Sequence, residues 1–132
     1  MSLLEIVVAA GDGGPVVALS GEADATTVPE LTAALAAQIA DGVRHLTVDL
    51  SGLTFADSAS VSVFISASHV LRAGGGTLVL CRPQPPVARM LSMLGVDQVI
   101  PVHGAAPGYL GVCLAAPSAL GSWAPSNRQA PG

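Results

Sequence analysis

Short runs rich in valine, leucine and isoleucine alternate along this chain with longer segments whose apolar residues recur every three or four positions. The short runs have the length and composition of β-strands, and the longer segments have the period of helices that bury one face. Strands joined by helices of this length pair in parallel, because the connection must return along the sheet. The alternation therefore predicts a single α/β domain, with a mixed, mostly parallel sheet and helices packed on it.

Antiparallel pairing is predicted only at the start of the chain. The runs Leu3–Ala9 and Val16–Ser20 are separated by a connection that contains three glycines, 11–14. A glycine-rich connection of this length favours an N-terminal hairpin. The later strands are predicted at His45–Leu50, where Ser51-Gly52 would end the strand, at Thr77–Cys81 and at Gln98–Val102.

Three helices are predicted between the later strands. The first begins at Thr27, which has the spacing of a capping box with Glu30, and ends at Asp41-Gly42. Asp and Ser are common residues at a helix start, because their side-chain oxygens accept hydrogen bonds from free backbone amides. The second helix is accordingly predicted from Asp57-Ser58 to Gly74, and the third from Pro85 to Gly95.

The length of 132 residues allows one hydrophobic core and is short for two ordinary domains. We predict that the domain covers residues 1–104. Residues 105–120 are apolar enough for a C-terminal helix, which Gly111 and Pro117 would weaken, and 121–132 are predicted to form a disordered tail.

Charge and hydropathy exclude two classes of function. The formal net charge is −4, and the five arginines, in a chain without lysine, form no cluster that could neutralise a row of phosphates. No apolar run approaches the roughly 18 residues that span a bilayer, and the first ten residues lack the basic stretch of a secretion signal. We therefore expect a soluble cytoplasmic protein that neither binds nucleic acid nor inserts into a membrane.

The sequence offers few groups for catalysis. The cysteines and histidines show no spacing that suits a metal or redox site: Cys81, Cys113, His45, His69 and His103. Both cysteines lie among apolar residues, so we expect buried, inert thiols. Three carboxylates lie near the ends of predicted elements, Asp24, Asp49 and Asp57, but their spacing does not indicate an acid and base pair. We predict a protein that is not an enzyme and that holds no metal or cofactor.

One long segment matches a known family. Val48–Gly76, which reads VDLSGLTFADSASVSVFISASHVLRAGGG, resembles the central motif of STAS domains, the fold of bacterial anti-sigma factor antagonists. Three further segments agree in order and spacing. Leu19–Asp24 resembles the family's Gly-Glu-hydrophobic-Asp loop, Gly75–Leu80 its Gly-Gly strand, and Val87–Gly95 its third helix. The resemblance covers about residues 3–103.

The resemblance implies that the chain binds an anti-sigma factor that is itself a serine kinase, and so releases a sigma factor. It also implies that this kinase phosphorylates Ser58 and thereby ends the binding, and that a serine phosphatase reverses the modification. The implied partner surface consists of the Gly21–Thr26 loop, Phe55–Ser58 and the outer face of the second helix. Its expected contact residues are Glu22, Asp24, Asp57, Ser58, Ser60, Val63 and Ala67.

Two parts of the motif are distinct from the rest, namely the residues after Ser58 and Phe55 before it. Family members commonly continue after the serine with Ser or Thr and then Gly, whereas this sequence has Ala59-Ser60. Phe55 is predicted to belong to the core, because large aromatic side chains are usually buried.

Two alternative functions stay open. One is a STAS subunit of a lipid or anion transport complex that is not phosphorylated, and the other is a scaffold in a stress-sensing assembly. Co-purification with transporter subunits would indicate the first, and a very large particle in size-exclusion chromatography would indicate the second.

Overall fold

The computed structural model describes residues 3–11 and 13–104. The predicted C-terminal helix at 105–120, the predicted tail at 121–132 and Cys113 lie outside the described residues. The elements in chain order are β1 (Leu4–Ala9), β2 (Val16–Ala23), α1 (Val28–Ala40), β3 (His45–Ala56), α2 (Ser58–Ala73), β4 (Thr77–Cys81), α3 (Pro85–Met93), a 3-10 turn (Val96–Gln98) and β5 (Val102–His103).

The described strands form one five-stranded sheet in the order β1-β2-β3-β4-β5. β1 pairs with β2 in antiparallel fashion, and each later neighbour pairs in parallel. This arrangement confirms the predicted α/β class and the N-terminal hairpin. It follows from the connections, since a short turn joins β1 to β2 whereas a helix or 3-10 turn precedes each later strand.

The core lies between one face of the sheet and the helices. Alternate residues of the central strands are buried there, and they form one cluster with buried residues of all three helices: Val17, Leu19, Leu46, Val48, Leu50, Leu78, Leu80, Leu31, Leu35, Phe64, Leu71, Val87 and Leu91. Alternation in the strands and a spacing of three or four in the helices bring these side chains to a common interior. Within the described part of the chain, no helix is long and apolar enough to cross a membrane.

The start of α1 differs from the predicted capping box. Thr27 is the residue before the helix, but its side chain makes no capping hydrogen bond to α1. Instead its hydroxyl donates to the carbonyl of Asp24 at 3.0 Å and accepts from the Asp24 amide at 2.9 Å. The capping-box prediction is therefore wrong, because the buried Thr27 side chain turns back into the preceding loop and fastens it to the helix.

β3 is twice as long as predicted, and Ser51-Gly52 does not end it. Its pairing with β2 shifts twice, since Ala18 pairs with Asp49 while Ser20 pairs with Gly52, and Gly21 pairs with Leu53 while Glu22 pairs with Phe55. Each shift places one extra residue on β3, which is the pattern of a β-bulge. The apolar residues that face the core accordingly step by two and then twice by three: Leu46, Val48, Leu50, Leu53 and Ala56.

The last strand is shorter and later than the predicted Gln98–Val102. Val96–Gln98 forms a 3-10 turn, and the amide of Ile100 still donates to the carbonyl of Val96 at 2.8 Å. These local hydrogen bonds keep the segment out of the sheet. Pairing begins only at Pro101, whose carbonyl accepts from the Leu80 amide at 3.0 Å.

An ion pair between the buried Asp49 and the partly exposed Arg82 joins the middle of β3 to the residue that follows β4. Asp49, which is only 4% exposed, accepts a hydrogen bond from Arg82 at 2.9 Å, and its other oxygen accepts from the Ser51 amide at 3.0 Å. Arg82 has a φ of 55°, which is unusual for a residue with a side chain. Beside this pair, burial and the Asp49 charge raise the pKa of the Cys81 thiol, in agreement with the expected inert cysteine.

Candidate phosphorylation and partner-binding site

Ser58 lies at the point where β3 passes into α2. It is the first residue of the helix and is exposed to solvent, so its hydroxyl is open to another protein. The first amides of a helix have no partner within the helix, and the helix dipole is positive at this end. The position therefore suits a group that gains negative charge.

Asp57 caps α2 directly before Ser58. One oxygen of its carboxylate accepts from the Ser60 amide at 3.0 Å and from the Ser60 hydroxyl at 3.1 Å. Its own amide donates to the carbonyl of Ala23 at 3.2 Å. Asp57 thus fixes the first turn of the helix and ties it to the end of β2.

The loop after β2 lies beside this helix start. Ala23 pairs with Ala56, and Glu22 is exposed one position earlier. One oxygen of Asp24 accepts from the Thr26 hydroxyl at 2.6 Å and from the Thr26 amide at 3.0 Å. These hydrogen bonds, the one from the Thr26 side chain above all, hold the pKa of Asp24 below its usual value.

The predicted outer face of α2 is wrong for two of its three residues. Ser60 is fully buried and Ala67 is 7% exposed, while Val63 is half-buried. The reason is that α2 packs against the sheet and also against α1, so that its buried stripe is wide. The exposed side carries other residues instead: Ser58, Ser62, Ser66, His69 and Val70.

The prediction that Phe55 belongs to the core is wrong. It is 46% exposed, not buried as predicted. Strict alternation would place Leu53 and Phe55 on the same face, but the extra residue Thr54 shifts the phase, so that Leu53 and Ala56 point inward. Tandem shifts of this kind have no reliable local signal, although the polar Ser51-Gly52 step marks the first one.

Comparison with known proteins decides the family. The family model described as "Mlab, STAS domain" matches residues 6–101. The chain belongs to the STAS-domain family. This finding confirms that the central motif and its flanking segments resemble those of STAS domains.

Relatives of this STAS domain are named anti-sigma factor antagonists. BtrV of Bordetella bronchiseptica, which bears that name, is 33% identical over 91 residues, or 69% of this chain and 78% of BtrV. The crystal structure of an anti-sigma factor antagonist from Mycobacterium paratuberculosis is 28% identical, with a TM-score of 0.71, over 76% of this chain and 85% of that one.

The fold is also that of the anti-sigma factor antagonist SpoIIAA. Its unphosphorylated form is 22% identical with a TM-score of 0.65, over 74% of this chain and 87% of that one. The phosphorylated form of the Bacillus SpoIIAA gives a TM-score of 0.59 at 22% identity, over 74% of this chain and 90% of that one.

An apolar groove of the STAS domain opens beside the site. It runs between α1 and α2, and Val63 and Ala67 line it although neither lies on an open face. The other residues along it are mostly small or apolar: Val28, Thr32, Leu35, Ala36, Ile39, Ala59, Ser62, Ser66 and Val70. Ala59 and Ser62 bring the groove to the first turn of α2, next to Ser58.

The edge of the STAS domain around Ser58 is acidic. Glu22, Asp24 and Asp57 come together there through the pairing of β2 with β3 and the hydrogen bond between Asp57 and Ala23. Asp49, which the sequence pattern groups with Asp24 and Asp57, does not belong to this edge and forms an ion pair with Arg82 instead. Among the described residues, no group of three or more histidine, cysteine or acidic side chains could hold a metal ion.

Proposed function

We propose that this STAS domain is an anti-sigma factor antagonist that binds an anti-sigma serine kinase through the surface around Ser58. Binding would free a sigma factor, and phosphorylation of Ser58 would end the binding. The observation that carries the proposal is the exposed serine at a helix start, directly after a capping aspartate, in a chain whose relatives are named for this role. A regulator of sigma factors acts in the cytoplasm, where RNA polymerase works.

Ser58 is the best phosphate acceptor of the motif. The hydroxyl of Ser60 is enclosed, because the residue has no exposed surface and donates to Asp57. Ser62 is exposed, but its hydroxyl donates to the carbonyl of Ser58 at 3.0 Å from within regular helix. Of these three serines, only Ser58 is exposed at the first position of the helix, where the backbone amide has no partner within the helix.

Phosphorylation changes charge at this edge and leaves the fold in place. The kinase would transfer the γ-phosphoryl group of ATP to Ser58 Oγ, so that an O–P bond forms, ADP leaves and a base of the kinase takes the hydroxyl proton. The helix dipole stabilises the added phosphate, which carries nearly two negative charges.

The same phosphate repels the negative charges around it. It lies next to the carboxylate of Asp57, near Asp24, and it faces the phosphates of the nucleotide that remains in the kinase. Repulsion and the loss of phosphate hydration weaken the complex, and each 1.4 kcal/mol lowers affinity about tenfold. A serine phosphatase would restore the binding state.

The remaining predicted contacts have distinct roles in this proposal. Glu22 and Asp24 supply charge on the β2 side of Ser58. Val63 and Ala67 contribute as walls of the groove between α1 and α2. Ser60 acts through Asp57, because its buried side chain offers no surface to a partner.

Substitution of Ser58 tests the switch. We expect Ser58→Ala to stay folded and to bind the kinase under all conditions, and Ser58→Asp to stay folded and bind at least about tenfold more weakly, since it adds one charge at the contact. Ser92→Ala is the matched control, because Ser92 is exposed on α3 outside the proposed surface, and it should behave as wild type. Binding is measured by calorimetry with the purified kinase, and phosphorylation by mass spectrometry of the Ser58 peptide from the source cells before and after stress.

Equal binding by Ser58→Ala and Ser58→Asp would contradict the switch. A Ser58 peptide that carries no phosphate under any condition would do so as well. In that case, co-purification with transporter subunits would favour the transport role, and elution as a very large particle would favour the scaffold role.

A further inference from the structure

Phe55 is an aromatic side chain that is exposed to solvent in this fold. The chain has two phenylalanines, and the other one, Phe64, is fully buried in the core. Phe55 is 46% exposed and lies two residues before Asp57, at the same edge as Ser58. Isolated exposed apolar residues are common, so its exposure alone decides nothing. It is more informative that a β-bulge in β3 places the side chain there.

This bulge is the second of the two in β3. The extra residue Thr54 is fixed by a hydrogen bond from its hydroxyl to the carbonyl of Gly21 at 3.0 Å. Without the bulge, alternation would turn Phe55 toward the core. Bulges re-aim side chains beside functional sites. The fold thus gives up the burial of an aromatic side chain and presents it next to Ser58.

The surroundings of Phe55 are acidic on the β2 side. Glu22 is its register partner and is exposed, and Asp24 follows two residues later. Three arginines of the described chain are engaged elsewhere, Arg44 with the Gly74 carbonyl, Arg72 with the Val99 carbonyl and Arg82 with Asp49. A partner surface that fits an aromatic group flanked by carboxylates has an apolar pocket for the ring and cations along one rim of that pocket.

We propose that Phe55 is the apolar anchor of the partner interface, and that the anti-sigma kinase receives it in an apolar pocket whose rim carries arginine or lysine opposite Glu22 and Asp24. This inference rests on the proposed function and adds the residue and the partner chemistry that hold the complex. Buried aromatic anchors carry a large share of the energy of many interfaces, and charge complementarity sets orientation and association rate. The nucleotide side of the kinase would then face Ser58 from the α2 side.

Truncation of the anchor is the first test. Against the purified anti-sigma serine kinase of the source bacterium with Mg-ADP, we expect Phe55→Ala to weaken binding by about 30-fold or more. Met93→Ala is the matched control, because Met93 is 80% exposed on α3, and it should change affinity by less than about twofold. Circular dichroism establishes that both variants are folded.

The outcomes separate the two proposals. If wild-type protein does not bind the kinase, the proposed function fails. If wild type binds and Phe55→Ala binds equally well, the proposed function stands and the anchor is refuted.

A second measurement needs no substitution at the contact. Protein labelled with 4-fluorophenylalanine gives two fluorine resonances, because the chain has two phenylalanines. Addition of the kinase should shift or broaden the Phe55 resonance and leave that of the buried Phe64 unchanged. Complex formation that moves neither resonance would overturn the proposal.

Salt dependence tests the basic rim. We expect the affinity of wild-type protein to fall as salt rises, and Glu22→Gln to bind more weakly and with a smaller salt dependence. An identical salt dependence for Glu22→Gln and wild type would refute the placement of cations opposite Glu22.

Discussion

At the scale of single residues, the hydrogen bonds of Asp57 fix the geometry of the helix start. Its carboxylate accepts both donors of Ser60, and its amide binds Ala23, so one residue joins the helix start to β2. Ser60 takes the position where family members commonly have glycine, and its side chain is fully buried. The departure thus adds a second hydrogen bond to the cap and no new surface for a partner.

Removal of this cap should lower stability measurably. We expect Asp57→Ala to reduce the free energy of unfolding by about 1 to 2 kcal/mol, because it leaves an amide and a buried hydroxyl without their acceptor. Asp41→Ala is the control, since Asp41 is exposed at the end of α1 and makes no such cap. Urea denaturation at neutral pH measures both variants, and equal losses would contradict the assigned role.

At the scale of elements, the two bulges of β3 shape the edge of the domain around Ser58. They let the strand continue past Ser51-Gly52 and still return Leu53 and Ala56 to the core. Gly52 permits the first bulge, because a Cβ there would lie 3.0 Å from the Leu19 carbonyl oxygen and 2.6 Å from Ser20 Oγ. The site therefore depends on how β2 and β3 are paired as much as on the motif itself.

Gly21 in β2 lies in tight contact with the backbone at the start of β1. Its φ is +99°, and a Cβ there would overlap the carbonyl oxygen of Leu3 on the neighbouring β1 side. We expect Gly21→Ala to lower the free energy of unfolding by about 2 kcal/mol or more, through backbone strain and steric overlap. Gly13→Ala is the control, since a Cβ at Gly13 would have no atom within 4 Å. Denaturation midpoints compare the two, and a stable Gly21→Ala protein would contradict the tight approach.

At the scale of the whole molecule, the described residues form one continuous core. Its members extend from Leu4 to Ile100, with Val102 packed against them. We expect a chain shortened after Gly104 to unfold cooperatively at about the same urea concentration as the full chain, because it keeps these contacts. A chain shortened after Gly95 is the control, since it loses Val96 and Ile100, both fully buried, and should unfold far more easily. A large loss of stability in the longer fragment would refute the predicted domain boundary.

The sequence by itself determined the three helices, the N-terminal hairpin and the position of Ser58 at a helix start. The period of the apolar residues, the glycines at helix ends and the residues Asp57-Ser58 act over a few positions, so they predict helices, the hairpin and a capped helix start. The order of those elements also determined the parallel pairing, because crossover connections leave few alternatives. Agreement of several motif segments in order and spacing identified the family.

Only the tertiary structure decided which side chains of the motif meet solvent. Ser60 and Ala67 are buried because α2 contacts α1 as well as the sheet, and a helical pattern does not state how many neighbours a helix has. Phe55 is exposed because β3 carries one more residue than β2 at each of two bulges. Register between strands is set by residues distant in the chain, and one inserted residue reverses the face of every side chain that follows.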